Sequence, residues 1–235
     1  MTGRDDKLPS VLVLAQDGRT APLRTLVDPE SRDNFGRTLL SYAAKGGSEG
    51  MAKLLLERGA VDPESRDHSS RTPLSYAAER GSEEIVKMLL GRGEVDPESR
   101  NDDGRTPLSY TAGCDSKEVV KMLLEWAEVD PESRDHDGRT PLSYAAKYGS
   151  KGIFKMLLER REVDSESRDT YGRTPLSHAA ECGSEEIVKL LLERREVDPE
   201  SRDNYGRTPL SHAAAGQSAG TLKLLLERGE VNSES

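Results

Sequence analysis

The chain has little of several things on which folded domains commonly rely. Among 235 residues there are two cysteines, one tryptophan and two phenylalanines, and aromatic residues make up only 4%. So few large rings exclude a thick aromatic core. Cys114 and Cys182 are too few for a disulfide-stapled secreted scaffold and read as free thiols. Long apolar runs are missing too: Val11 to Ala15, the longest near the start, follows Asp5 and Asp6 and is too short for a signal-peptide core or a membrane span. Positive charge is in deficit, with a formal net charge of -9 and a pI near 5.1. Such a surface repels phosphate backbones and anionic lipid heads. Together these absences predict a soluble intracellular monomer, cytoplasmic or else nuclear, that engages no membrane and no nucleic acid directly. With 34% hydrophobic and 33% charged residues, such a chain folds only if its apolar residues fall at regular intervals.

They do. The segment GRTPLSYAA recurs, with its threonine at Thr38, Thr72, Thr106, Thr140, Thr174 and Thr208, a constant step of 34. A second marker, VDPESRD, keeps the same step from Val27 to Val231. The chain therefore divides into an irregular lead-in or degenerate cap, 1–32, and six units: 33–66, 67–100, 101–134, 135–168, 169–202 and 203–235. In the second unit Thr72 offers an N-cap hydroxyl and Pro73 suits the first helical position. The helix through Leu74, Ser75, Tyr76, Ala77 and Ala78 should stop at Gly81 in a left-handed turn. Ser82 should cap a second helix, with Glu83 and Glu84 at its positive end, an apolar stripe of Ile85, Val86, Met88, Leu89 and Leu90, and Gly93 closing it. The polar tract from Asp96 to Gly104 reads as a loop or finger. Helices this short do not persist alone in water, so stacking must hold them. The expected architecture is an all-α solenoid, on the order of 60 Å long at about 10 Å per unit.

A period of 34 alone fits tetratricopeptide repeats, but the residues differ. The TPL start, the alanine pair, the turn glycine and the IV-x-x-LL second helix resemble the ankyrin repeat across all six units, and the wording resembles arrays of filamentous fungi. The resemblance implies a non-catalytic module that binds a protein partner through its finger tips and first helices. Serine at Ser41, Ser75, Ser109, Ser143, Ser177 and Ser211 departs from the family's histidine, so the hydrogen bonding made there should be smaller or absent. Ser70 replaces the finger glycine, and Leu39 stands where the other units have proline.

Enzyme signals are poor. His178 and Cys182 stand four apart on one expected helix, as a thiol and imidazole pair would, yet their positions vary freely among the units. His68, His136, His178 and His212 lie in different units, and no nucleotide fingerprint appears, so no catalytic residue, metal site or cofactor is expected. The loop rows of Glu30, Glu64, Glu98, Glu132, Glu166 and Glu200, with Arg32, Arg66, Arg100, Arg134, Arg168 and Arg202, read as a salt-bridged, solvated face.

The second arginine ladder, from Arg37 to Arg207, falls where the ankyrin resemblance implies a concave binding surface. Beside it the finger tips and first-helix ends vary while the rest of the unit is nearly copied. The candidate protein-binding residues are Arg105, Arg139, Tyr148, Tyr171, Arg173, Tyr205 and Arg207, with aromatic and Arg side chains as anchors. Tyr42, Tyr76, Tyr110 and Tyr144 read as core. A nuclear co-regulator is the alternative function, and a Cys/His enzyme the remote one. The first helix of unit three should be the weakest, since Thr111 and Gly113 are poor helix formers. Trp126 should lay its ring over a neighbouring unit instead of standing exposed.

Overall fold

A computed structural model describes residues 28–57, 59, 61–113 and 116–233, with side chains described as far as Arg228. Among the described residues the secondary structure is helical, with no strand. Two compact parts meet at Val129 and Asp130. The first contains α1 (Leu39–Gly46), α2 (Glu49–Glu57), α3 (Pro73–Arg80), α4 (Glu83–Leu90), α5 (Pro107–Thr111) and α6 (Lys117–Leu124). The second contains α7 (Pro141–Tyr148), α8 (Lys151–Leu158), α9 (Pro175–Glu181), α10 (Glu185–Leu192), α11 (Pro209–Ala215) and α12 (Ala219–Ser233).

Each first helix starts for the same local reason. The Thr Oγ1 accepts the backbone N–H of the serine three residues on, as from Ser75 to Thr72 at 3.3 Å, with proline at the first turn of every first helix except α1. Gly81 ends α3 at φ 74°, as the sequence predicts, and its N–H bonds back onto the last turn. Second helices stop sooner than expected: α4 ends at Leu90, and Gly91, not Gly93, is its C-cap. Ser116 caps α6 by accepting from Val119, but Ser82 and Ser184 sit at N-caps without a side-chain capping bond. Ser184 instead donates to the Ala146 carbonyl of the preceding unit at 3.2 Å. In unit three α5 is only 5 residues long, against 8 for α3 and α7. Thr111 turns its hydroxyl back onto the Leu108 carbonyl at 2.7 Å, a bond that competes with the helix ladder. Trp126, following α6, is half-buried.

Stacking buries what the helices cannot bury alone. In the first part α1 packs on α3 and α3 on α5, with α2 on α4 and α4 on α6 behind them; in the second, α7, α9 and α11 form one row and α8, α10 and α12 the other. Leu40, Leu74, Ile85, Leu89, Ile153, Phe154 and Leu176 are fully buried, and each such side chain contributes about 1.5–3 kcal/mol. The alanine pairs Ala43 with Ala44, Ala77 with Ala78, Ala145 with Ala146 and Ala179 with Ala180 are also fully buried.

The loop rows serve a purpose that their charges conceal. Arg66 Nη1 donates to the Arg100 carbonyl of the next unit at 2.9 Å, and Arg168 to that of Arg202 at 2.8 Å. Glu30 accepts the Asp62 N–H at 2.8 Å, and Glu132 the Asp164 N–H at 3.2 Å. Glu–Arg pairs within a loop are loose, 3.9 Å for Glu64 with Arg66. The expectation of a solvated salt-bridged face therefore holds only in part: Arg66, Arg100 and Arg134 are exposed and pair with Glu64, Glu98 and Glu132, but the rows also bond the backbone of the following unit. In units one, two and four hydroxyls tie the loop back to the unit's own first helix. Thr72 Oγ1 lies 3.3 Å from Ser75 Oγ and 3.1 Å from Ser99 Oγ in the loop that follows, so the serine in the histidine slot belongs to a buried network. Ser70 holds φ 59°, a left-handed conformation that costs a side-chain-bearing residue about 1–2 kcal/mol, while its hydroxyl bonds Asp102 at 2.6 Å.

Candidate functional site

The fingers are built on the first residue of each unit, an aspartate in all but unit three, where it is Asn101. Asp169 is the clearest case: its Oδ1 accepts the N–H groups of Tyr171 and Arg173, both at 2.9 Å, which closes the finger turn. Its Oδ2 faces Arg173 Nε at 2.9 Å and His178 Nε2 at 3.1 Å. The same design recurs with Asp33, Arg37 and Tyr42, with Asp135, Arg139 and Tyr144, and with Asp203, Arg207 and His212. Burial alone would raise the Asp169 carboxyl, but hydrogen bonds from His178 and the Arg173 N–H, with the Arg173 charge, hold it at about 2. Burial pushes His178 the opposite way, below its ordinary value. An ionised aspartate beside a neutral imidazole requires the Nε2–H tautomer, donating to Asp169. Sequence reasoning missed this hub. Its signal was present as an acidic residue at the unit start, Arg four residues on and Tyr or His nine residues on, broken only by Asn101.

The arginine ladder is thus held by the frame rather than loose in solvent. In the first part Arg71 is sandwiched between the rings of Tyr76, at 4.0 Å, and Tyr110, at 4.3 Å, and its Nη2 takes Glu79 at 2.5 Å. Arg105 lies 4.1 Å from the Tyr110 ring centroid. These tyrosines are packed as expected, with Tyr76, Tyr110 and Tyr144 buried and Tyr42 half-buried. In the second part Arg173 and Arg207 stack on finger tyrosines instead, 5.1 Å from Tyr171 and 5.0 Å from Tyr205.

A groove of about 490 Å³ opens there, lined by Asp137, Arg139, Tyr171, Arg173, Tyr205 and Arg207. Its arginines are each held by a buried aspartate, Asp135, Asp169 or Asp203, while Tyr171 is 40% and Tyr205 69% exposed. Backbone bonds align the fingers, with Thr170 N–H to Asp137 at 2.8 Å and Asn204 N–H to Tyr171 at 2.9 Å. Of the residues singled out by sequence, Arg139, Tyr171, Arg173, Tyr205 and Arg207 meet at this groove. Tyr148 is exposed and stacks on Tyr144 at 6.3 Å without lining it, and Arg105 belongs to the first part. Phe35, at the first finger, is 63% exposed.

This recurring finger and helix pair coincides with a known sequence family. A family model described as ankyrin repeats (3 copies) matches residues 11–101, 93–169 and 152–235. The chain belongs to the ankyrin-repeat family. The first match begins inside the lead-in, whose residues up to 27 lie outside those described. No curated protein matches the chain. Ankyrin repeats are in general protein–protein interaction modules.

The ankyrin frame also accounts for the residues weighed for other chemistry. Cys182 is raised by burial and by Glu181, the reverse of an activated thiolate, and His178 Nε2 is committed to Asp169. Cys114 lies outside the described residues. Among the described residues no group of three or more His, Cys, Asp or Glu is placed to hold a metal ion, and no helix is long and apolar enough to cross a membrane.

Proposed function

We propose that this ankyrin array is a non-catalytic adaptor or recognition module that grips a protein partner in the groove lined by the fingers of units four to six. One observation carries the reading. Tyr171 and Tyr205 stand out from fingers whose turns are closed by the buried Asp169 and Asp203, so large amphipathic rings are presented on a rigid base. Rigid Tyr and Arg anchors lose little entropy on binding and dominate interface energies. Replacing Tyr171 and Arg173 by alanine together should weaken a captured partner by more than about 2 kcal/mol, roughly 30-fold, while leaving helicity intact. Because Arg173 also bonds Asp169, a Tyr171→Ala/Tyr205→Ala variant should reproduce the loss from exposed side chains alone. Unchanged affinity in both variants would move the site to another face.

A further inference from the structure

We propose that this groove takes an extended peptide by a carboxylate, from an Asp or Glu side chain or a chain terminus, seated on the Nη groups of Arg207 beside Tyr205. The inference rests on the interaction reading above and names the chemistry of its partner.

The chain itself displays what the arginine ladder accepts. In unit two the free end of Arg71 takes the Glu79 carboxylate at 2.5 Å, and in unit five Arg173 Nη1 faces Glu181 at 3.6 Å. Both glutamates lie eight residues after their arginine, at the end of the first helix. In unit four that step is Lys147, and Arg139 Nη2 turns instead to Asp137 on its own finger, at 2.5 Å. In unit six neither source exists. The helix step is Ala215 and the finger step is Tyr205.

The Arg207 guanidinium therefore donates only from Nε, to Asp203 at 2.8 Å, and among the described residues no acceptor reaches its Nη groups. The side chain is 48% exposed. The guanidinium is anchored by Asp203 and by stacking on Tyr205, so its outward fork is ordered before any ligand arrives. An arriving carboxylate would make the charge-assisted, bidentate bonds that this fork favours. A dianionic phosphate would meet Asp137 and Glu181 with about twice the charge, which favours the carboxylate.

The test is a selection of random ten-residue peptides with free termini against the 235-residue chain, followed by synthesis of the best binder and of its amide analogue, with Glu→Gln, Asp→Asn or an amidated terminus. The acid should bind at least about tenfold more tightly than the amide. The decisive variant is Ala215→Glu, which supplies the carboxylate in cis as units two and five do. Ala215 is exposed, so this variant should keep its helicity while losing about tenfold in affinity and most of its discrimination between acid and amide. Arg207→Gln should do the same. Binders that need Tyr171 and Arg173 yet tolerate both the amide and Ala215→Glu would overturn the carboxylate site and leave the groove standing. Binders indifferent to the Tyr171→Ala/Arg173→Ala pair, or a selection without any binder, would overturn both.

Discussion

Replacing Asp169 by alanine tests whether the finger hub holds the groove together. The carboxylate is fully buried and accepts from four donors: the Tyr171 and Arg173 N–H groups, Arg173 Nε and His178 Nε2. Alanine removes all four. At about 1 kcal/mol for each of the two backbone bonds, and about 2 more for an arginine left without its carboxylate, the loss comes to roughly 3–5 kcal/mol. Asparagine is gentler, because its oxygen can keep both backbone donors, as Asn101 does for Asp103 and Arg105 at 3.1 and 2.8 Å. What it loses is the charge facing Arg173, about 1–2 kcal/mol. Both variants would be compared with the parent by urea unfolding and by hydrogen exchange at the Tyr171 and Arg173 amides, which exchange faster only if the finger opens. Acid adds an independent check. With the folded carboxyl held at about 2, below its ordinary 3.8, its stabilisation is present above 3.8 and is lost as pH falls through 2. The gap between parent and Asp169→Asn should therefore close between pH 4 and pH 2. Parent-like unfolding of Asp169→Ala, with unchanged exchange at both amides, would refute the hub.

Two further outcomes follow from the same packing. Burial raises Glu64 and Glu166 to about 7 and Glu132 to about 6, against an ordinary 4.5, so their contribution is fully present below 4.5 and is lost as pH rises through 7. Urea midpoints should then be higher near pH 5.5 than near pH 8, by on the order of 1 kcal/mol per glutamate after allowance for solvent, although His178, which resists charging, opposes this below 6.5. A Glu64→Gln/Glu132→Gln/Glu166→Gln triple variant should lose that rise, and a profile parallel to the parent's would refute the assignment. At Gly216 an added Cβ would overlap the Glu181 carbonyl, whereas at Gly220 it would meet only the movable Glu185 carboxylate. Gly216→Ala should lower the melting temperature, at a cost of about 1–3 kcal/mol, while Gly220→Ala is neutral or stabilising; a stabilised Gly216→Ala would refute the close approach.

What could be read from the sequence was what local chemistry decides. Thr72, Pro73 and Gly81 bound their helix where capping rules put them, because each acts on backbone groups within a few residues. The end of the second helix escaped that logic. Helices α4, α6, α8 and α10 stop at Leu90, Leu124, Leu158 and Leu192, although their C-caps are Gly91, Glu125, Glu159 and Glu193. A glycine cannot be the cause when glutamate serves as well. Val95, Val129 and Val197 are buried just beyond, and the chain must leave the helix to bring each valine into the core. Glu64 and Arg66 were legible only as an ion pair for a related reason: their further partners are backbone groups of the following unit, and no pattern of side chains along one unit reveals them.

The groove was legible in position but not in mechanism. Variable tips beside a constant arginine suggested a recognition face, and the tyrosines at 171 and 205 are indeed exposed. Yet the constancy of the arginine has its own cause, since Arg139, Arg173 and Arg207 each bond a buried aspartate that closes the finger turn. A residue kept for the frame is shared by every unit and cannot by itself distinguish one partner from another. Discrimination must then come from what surrounds each fork: Asp137 in unit four, Glu181 in unit five, and Ala215 with Tyr205 in unit six. Changing these neighbours should change which ligands bind without disturbing the fold, whereas changing the aspartates should disturb both.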